Sequence, residues 1–106
     1  MTTLNSQSIN ASIFDLTKIY EFSIISPGGT FYDYVKVVHD SEDRFKIYSY
    51  YRLNDKWNPC KTTRENKYDI IELDNSIYFK GPRFTEGPRK GKYDMWIKTN
   101  RIFDIK

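Results

Sequence analysis

Apolar and polar residues alternate along most of this chain, and the alternation has a period of two. From Phe31 to Val38, one side of the repeat carries Phe31, Val35 and Val37, and the other carries Tyr32, Tyr34 and Lys36. From Arg44 to Leu53, the split is Phe45, Ile47, Tyr51 and Leu53 against Lys46, Tyr48, Tyr50 and Arg52. Successive side chains of a strand point to opposite faces, so this period predicts two half-buried β-strands. Their second side is unusual, because tyrosine mixed with lysine and arginine stands where short polar residues are the norm. This aromatic–basic side is the leading functional signal in the sequence.

The same rule extends over the rest of the chain. Lys18 to Ile25 alternates Tyr20, Phe22 and Ile24 with other residues and predicts a strand. Ser26-Pro27-Gly28-Gly29 predicts a turn in which Pro27 presets φ and Gly28 takes positive φ. The next strand is expected from Thr30 to His39, followed by a turn over Asp40-Ser41-Glu42-Asp43. Across that turn, setting apolar side against apolar side requires partners whose residue numbers have an even sum. A sum of about 82 would oppose Lys36 to Lys46, an unfavourable like-charge pair. A sum of about 84 opposes Tyr34 to Tyr50, Lys36 to Tyr48 and Tyr32 to Arg52, and is the expected register.

Beyond Leu53 the chain reads as irregular from Asn54 to Asn66, and Pro59 excludes a central strand there. Trp57, within this piece, reads either as a plug for the core or as an exposed anchor for a partner. Tyr68 to Leu73 and Ser76 to Lys80 are expected strands joined by a two-residue turn at Asp74-Asn75, residues that tolerate positive φ. Gly81 to Gly91 repeats Gly-Pro-Arg and is a loop by every local rule. Lys92 to Lys98 is an expected strand, and Ile102 to Ile105 closes the sheet after a turn at Asn100-Arg101. Residues 1–11 read as a flexible N-terminal tail, and Ser12 as the cap of a short helical turn through Ile13, Phe14 and Leu16. The expectation is one all-β domain over residues 12–106. It is a small antiparallel barrel or compact sandwich of six to seven short strands with one short N-terminal helical turn.

Composition narrows this picture. A length of 106 residues suits a single domain with one modest core. Aromatic residues make up 17% of the chain, which favours pleated surfaces. Ala11 is the only alanine and leucine occurs just four times, so a helix bundle is a poor reading. Cys60 is the single cysteine, which excludes an internal disulfide and suits a reducing compartment. No apolar run approaches membrane-spanning length, and the N-terminus lacks a signal-peptide pattern. The expected location is the cytoplasm, or the host cytoplasm if the chain is viral, with no membrane partner.

Charge sharpens the functional expectation. The net charge is +3, yet Lys80 to Arg101 holds seven basic residues against Glu86 and Asp94, a net of +5 that leaves −2 for the remainder. Such asymmetry prepares one region for an anion. Tyrosine rings offer π surfaces to bases, and neighbouring cations neutralise phosphates. The candidate nucleic-acid-binding residues are therefore Arg83, Arg89, Lys90, Lys92, Trp96, Lys98 and Arg101 from the basic region, with Tyr34, Lys46, Tyr48, Tyr50 and Arg52 from the aromatic–basic side. Gly81, Gly87 and Gly91 would let the backbone approach a ligand closely. Gly87 to Lys92 is not a P-loop, because the glycine spacing is wrong and no Ser or Thr follows the lysine.

Chemistry at a catalytic centre finds little support. His39 is the only histidine, and with Asp40 and Cys60 it forms the sole candidate nucleophile–base set. A lone histidine at a strand end beside an acidic turn is more often structural, and the acidic residues lack recognisable metal-ligand spacing. No enzyme activity, metal or cofactor is expected. The leading expectation is a non-enzymatic module that binds an anionic partner, most simply nucleic acid. The alternative is a protein-binding module, such as a small phage-type protein that inhibits or redirects a host factor, since Tyr, Trp and Arg also form protein interface hot spots.

Overall fold

The computed structural model describes residues 7–8, 13–41, 44–60 and 68–106, with side chains described over 13–38, 46–60 and 68–106. Eight strands are present: β1 (Gln7–Ser8), β2 (Lys18–Ser26), β3 (Gly29–Ser41), β4 (Arg44–Leu53), β5 (Lys56–Pro59), β6 (Asp69–Leu73), β7 (Ser76–Arg83) and β8 (Tyr93–Asp104). They form one antiparallel sheet in the order β1-β6-β7-β8-β2-β3-β4-β5. The all-β expectation holds, and no α-helix occurs among the described residues. The sheet ends in two edges, β1 and β5, and is not a closed barrel. The expected helical turn at Ser12 begins outside the described residues. Gln7–Ser8, within the expected tail, pairs with β6.

The sheet buries residues on both faces because it curls. On the first face, Tyr20 and Phe22 of β2 join Val35 and Val37 of β3, Ile47 of β4, Ile70 of β6, Phe79 of β7 and the preceding Phe14 in one cluster. Phe22 stacks on Phe79 with ring centroids 3.7 Å apart. Strand β8 lies between β2 and β7, and flat strand spacing would set these rings about 10 Å apart. Twist and coiling close that gap. On the second face the opposite end of the sheet folds over. Trp57 of β5 lies 5.0 Å from Tyr34 of β3 and 5.1 Å from Phe103 of β8, ring centre to ring centre.

The expected register of β3 and β4 is the one observed, with Tyr34 opposite Tyr50 and Lys36 opposite Tyr48. The Asp74-Asn75 turn also forms, with both residues at positive φ, 52° and 67°. Other expectations need correction. The positive φ of the first hairpin falls on Gly29 and not on Gly28. The segment read as irregular contains a second tight hairpin: Asn54 and Asp55 adopt positive φ, and β5 pairs with β4. Pro59 is accommodated because β5 is an edge strand, where a missing N–H costs no ladder bond. Trp57 is a buried plug at 7% exposure. Strand β7 runs on to Arg83 with an irregularity after Lys80, so the Gly-Pro-Arg loop is shorter than expected. Asn100-Arg101 is no turn; β8 continues through it with a register shift opposite β2. Tyr51 and Leu53 keep the parity of Ile47 but reach beyond the core and are exposed.

Candidate binding face

Cross-strand pairs share a face, so the register gathers residues that are far apart in sequence. The second face takes Tyr32, Tyr34 and Lys36 from β3, and Lys46, Tyr48, Tyr50 and Arg52 from β4. Pairing continues it through Ser23 of β2 to Ile97 of β8 and Tyr78 of β7. Lys80 and Met95 follow on the next row. The aromatic–basic side of β3–β4 and part of the basic region are therefore one continuous surface. Of the expected site residues, Tyr34, Lys46, Tyr48, Tyr50, Arg52, Arg83 and Arg101 come together there.

Two expected residues do not. Trp96 sits opposite Phe79 and packs against the first-face core. Lys98 sits opposite Phe22, with its amine 5.6 Å from the Tyr20 ring centre and donating to the Thr99 carbonyl at 3.3 Å. Period two assigns both to the first face, away from Ile97. Arg89, Lys90 and Lys92 lie in the connection between β7 and β8. Bonds from Phe84 N–H to the Lys92 carbonyl (2.8 Å) and from Gly91 N–H to the Phe84 carbonyl (2.9 Å) close this connection into a compact loop. Gly87 and Gly91 serve it as positive-φ turn residues, at 85° and 84°. Gly81 has a different role: it is buried against Tyr68, and no ligand needs its small size.

Arginine is laid on aromatic rings throughout. Arg52 covers Trp57 at 5.6 Å, Arg83 covers Tyr93 at 5.2 Å, Arg89 covers Phe84 at 4.6 Å and Arg101 covers Phe103 at 5.1 Å. Stacking uses the flat of the guanidinium and leaves its in-plane donors free. The acids then sort these groups. Arg101 pairs with Glu21 at 3.1 Å, Arg52 with Asp55 at 3.7 Å, and Lys18 with Asp104. Lys80, Arg83, Arg89, Lys90 and Lys92 have no ion-pair partner among the described residues. Lys36, Lys56, Lys98 and Lys106 have no ion pair among the described residues either, but they are scattered, whereas the β7–β8 hairpin gathers five such cations in one place.

At the root of that hairpin, Lys80 and Arg83 converge on one ring. The Lys80 amine lies 4.2 Å from the Tyr93 ring centre, and Arg83 Nη2 donates to the Tyr93 hydroxyl at 3.1 Å. The Arg83 hydrogen bond, then the Arg83 and Lys80 charges, hold the Tyr93 phenol below its usual pKa. Tyr93 and Tyr32 remain 38% and 55% exposed on this face. Tyr32 and Lys80 belong to the aromatic–basic side and the basic region read from sequence but were not among the candidate site residues, and neither was Tyr93. The signal that finds them is parity carried across the β7–β8 and β2–β3 pairs.

A second arrangement was invisible in sequence. Glu21 is buried at 2% exposure. Thr99 Oγ1 donates to its Oε1 at 2.8 Å and Arg101 Nη1 to its Oε2 at 3.1 Å. Both donors come from the stretch of β8 that departs from regular pairing, and such irregularities re-aim side chains. Burial raises the pKa of neighbouring Tyr34, and the Glu21 carboxylate, as hydrogen-bond and charge partner, raises it further. Beside this cluster, Arg52, Trp57, Phe103 and Asp104 help to line a cleft of about 260 Å³.

Among the described residues no three His, Cys, Asp or Glu side chains gather as metal ligands, and no helix is long and apolar enough to cross a membrane. In comparisons with known proteins, the chain matches no family model, no curated protein and no solved structure.

Proposed function

We propose that this domain is a non-enzymatic binding module for an anionic partner, most simply nucleic acid. The reading is carried by one observation: five cations of the β7–β8 hairpin, Lys80, Arg83, Arg89, Lys90 and Lys92, lack an acidic partner among the described residues, beside a sheet face rich in tyrosine. Elsewhere the arginines with described side chains, Arg52 and Arg101, are matched to carboxylates. Leaving like charges unmatched in one hairpin costs self-repulsion, which an anion relieves. Arg89, Lys90 and Lys92 supply phosphate contacts from the loop, while Lys80 and Arg83 do so at its root.

The test is a binding titration with DNA and RNA at two salt concentrations. Each neutralised phosphate adds about 0.7–0.9 to the log–log slope. Replacing Arg89 and Lys90 together by Ala is expected to lower that slope by roughly 1.5 with little change in stability. No measurable binding of either nucleic acid at low salt overturns the proposal. The rival reading, a protein partner, is favoured by a different feature: Phe31, Tyr51 and Leu53 stand 51%, 48% and 56% exposed on the first face. Continuing the β3–β4 register sets Phe31 opposite Leu53 with Tyr51 beside them, so the three form one small apolar patch, the kind of surface a protein partner covers.

A further inference from the structure

The shape of the β7–β8 hairpin bears on which form of nucleic acid it fits. We propose that this hairpin enters the major groove of B-form duplex DNA tip first, a step that rests on the nucleic-acid reading above. Arg83, Arg89, Lys90 and Lys92 face the phosphate walls of the groove, and the tip around Glu86 meets the base edges on its floor.

Dimensions favour this mode. Pairing with β2 ends at Ile97 of β8, and pairing with β6 ends at Lys80 of β7. Residues 81–83 and 93–95 therefore run on as a two-stranded ribbon, with no further strand beside them among the described residues. Tyr68 braces the root: its ring lies beside Gly81 and its hydroxyl donates to Asp94 at 2.8 Å. Three residues of strand extend about 10 Å, and the loop of residues 84–92 adds to that reach. The major groove of B-form DNA is about 8.5 Å deep and about 12 Å wide, and it admits a two-stranded ribbon. The minor groove is about half as wide. In duplex RNA the major groove is too narrow for side chains to read.

Charge is distributed along the ribbon as that cross-section requires. Arg83 lies on one strand, and the bond from Phe84 N–H to the Lys92 carbonyl sets Lys92 across from it on the other, so cations flank both sides. Glu86, the acid of the loop, is exposed at the tip, beyond the bonds that close the loop. A phosphate wall repels a carboxylate, whereas the groove floor offers it the amino group of cytosine. The tip is also ordered in advance. Lys90 N–H donates to the Gly87 carbonyl at 3.1 Å and Lys92 N–H to the Arg89 carbonyl at 2.9 Å, so little conformational freedom is lost on binding. A single strand finds no comparable fit, because Lys80 and Arg83 already cover the Tyr93 ring at 4.2 and 5.2 Å.

The experiment is fluorescence anisotropy at low salt with labelled hairpin duplexes of DNA and of RNA and an oligothymidylate, all of equal phosphate count. The DNA duplex is expected to bind at least about tenfold more tightly than either other probe. A DNA duplex whose cytosines carry a neutral C5-linked sugar, which fills the major groove, is expected to bind at least about tenfold more weakly than the plain one. Glu86→Gln is expected to lower the preference for G·C-rich over A·T-rich duplex by roughly fivefold. Circular dichroism checks that this variant keeps its fold. RNA duplex or single strand bound as tightly as DNA duplex, or sugar-filled DNA bound as tightly as plain DNA, overturns groove entry and leaves the nucleic-acid reading standing. A Glu86→Gln variant that binds every duplex more tightly by the same factor places the tip on phosphates and also overturns it. Binding of none of the probes overturns both readings and favours a protein partner.

Discussion

The Arg101 guanidinium donates a hydrogen bond to the buried Glu21 carboxylate, 3.1 Å away and 80 residues earlier in sequence. The contact ties the irregular stretch of β8 to the central strand β2. It also holds Arg101 over Phe103, 5.1 Å from the ring centre, beside the cleft that Trp57 and Phe103 help to line. A carboxylate at 2% exposure is tolerated only when its oxygens are satisfied, and here Thr99 donates to one oxygen and Arg101 to the other, with Tyr34 as a further hydrogen-bond partner.

Removing the charged donor therefore has a structural cost. Arg101→Ala is expected to destabilise the fold by about 1–2 kcal/mol, a value discounted because the arginine is largely exposed. Glu21→Gln keeps an acceptor for one donor and is expected to cost less than Glu21→Ala. Urea unfolding of the three variants checks the order.

Two tyrosines are expected to titrate on opposite sides of the ordinary phenol. Burial, and then Glu21, raise the Tyr34 pKa. The unfolded chain thus loses this proton first, so the contribution of Tyr34 to stability is intact below about pH 10 and is lost as pH rises through the folded value. Tyr93 is lowered by Arg83 and Lys80, so its contribution is present at strongly alkaline pH and fades as pH falls through its folded value. NMR titration of the tyrosine ring carbons checks this. Tyr93→Phe should remove the early-titrating signal and Tyr34→Phe the late one.

Gly81 is held small by its neighbour. A Cβ there would stand 2.5 Å from Tyr68 Cε1, whose hydroxyl donates to Asp94 at 2.8 Å. Gly81→Ala must displace the ring and break that bond, with an expected loss of about 1–3 kcal/mol. Thermal unfolding of Gly81→Ala alone and with Tyr68→Ala measures the coupling: the added methyl should be tolerated better once the ring is gone.

Trp57 and Leu53 are four residues apart and differ in burial. Trp57→Ala opens a cavity between Tyr34 and Phe103 and is expected to cost about 3–5 kcal/mol. Leu53→Ala, on an exposed position, is expected to stay within about 0.5 kcal/mol. Chemical denaturation of both variants decides whether the β5 end of the sheet is structural.

Local pattern determined much of this protein. Period two assigned the sides of β3 and β4, and like-charge repulsion between Lys36 and Lys46 selected the register that pairs Tyr34 with Tyr50. The tolerance of Asp74 and Asn75 for positive φ placed the β6–β7 turn. These are decisions between near neighbours, and their energetics are written in a few adjacent residues. The tertiary structure decided what covers each side. The pattern could not say that β5 would fold back and bury Trp57, because an edge position for Pro59 depends on where the sheet ends. Nor could it place Trp96 and Lys98 on the first face while Arg101 reached Glu21 on the second, since that depends on pairing between strands some 80 residues apart. Curl in the sheet, driven by burial of rings from non-adjacent strands such as Phe22 and Phe79, is a property of the whole molecule and has no local signature.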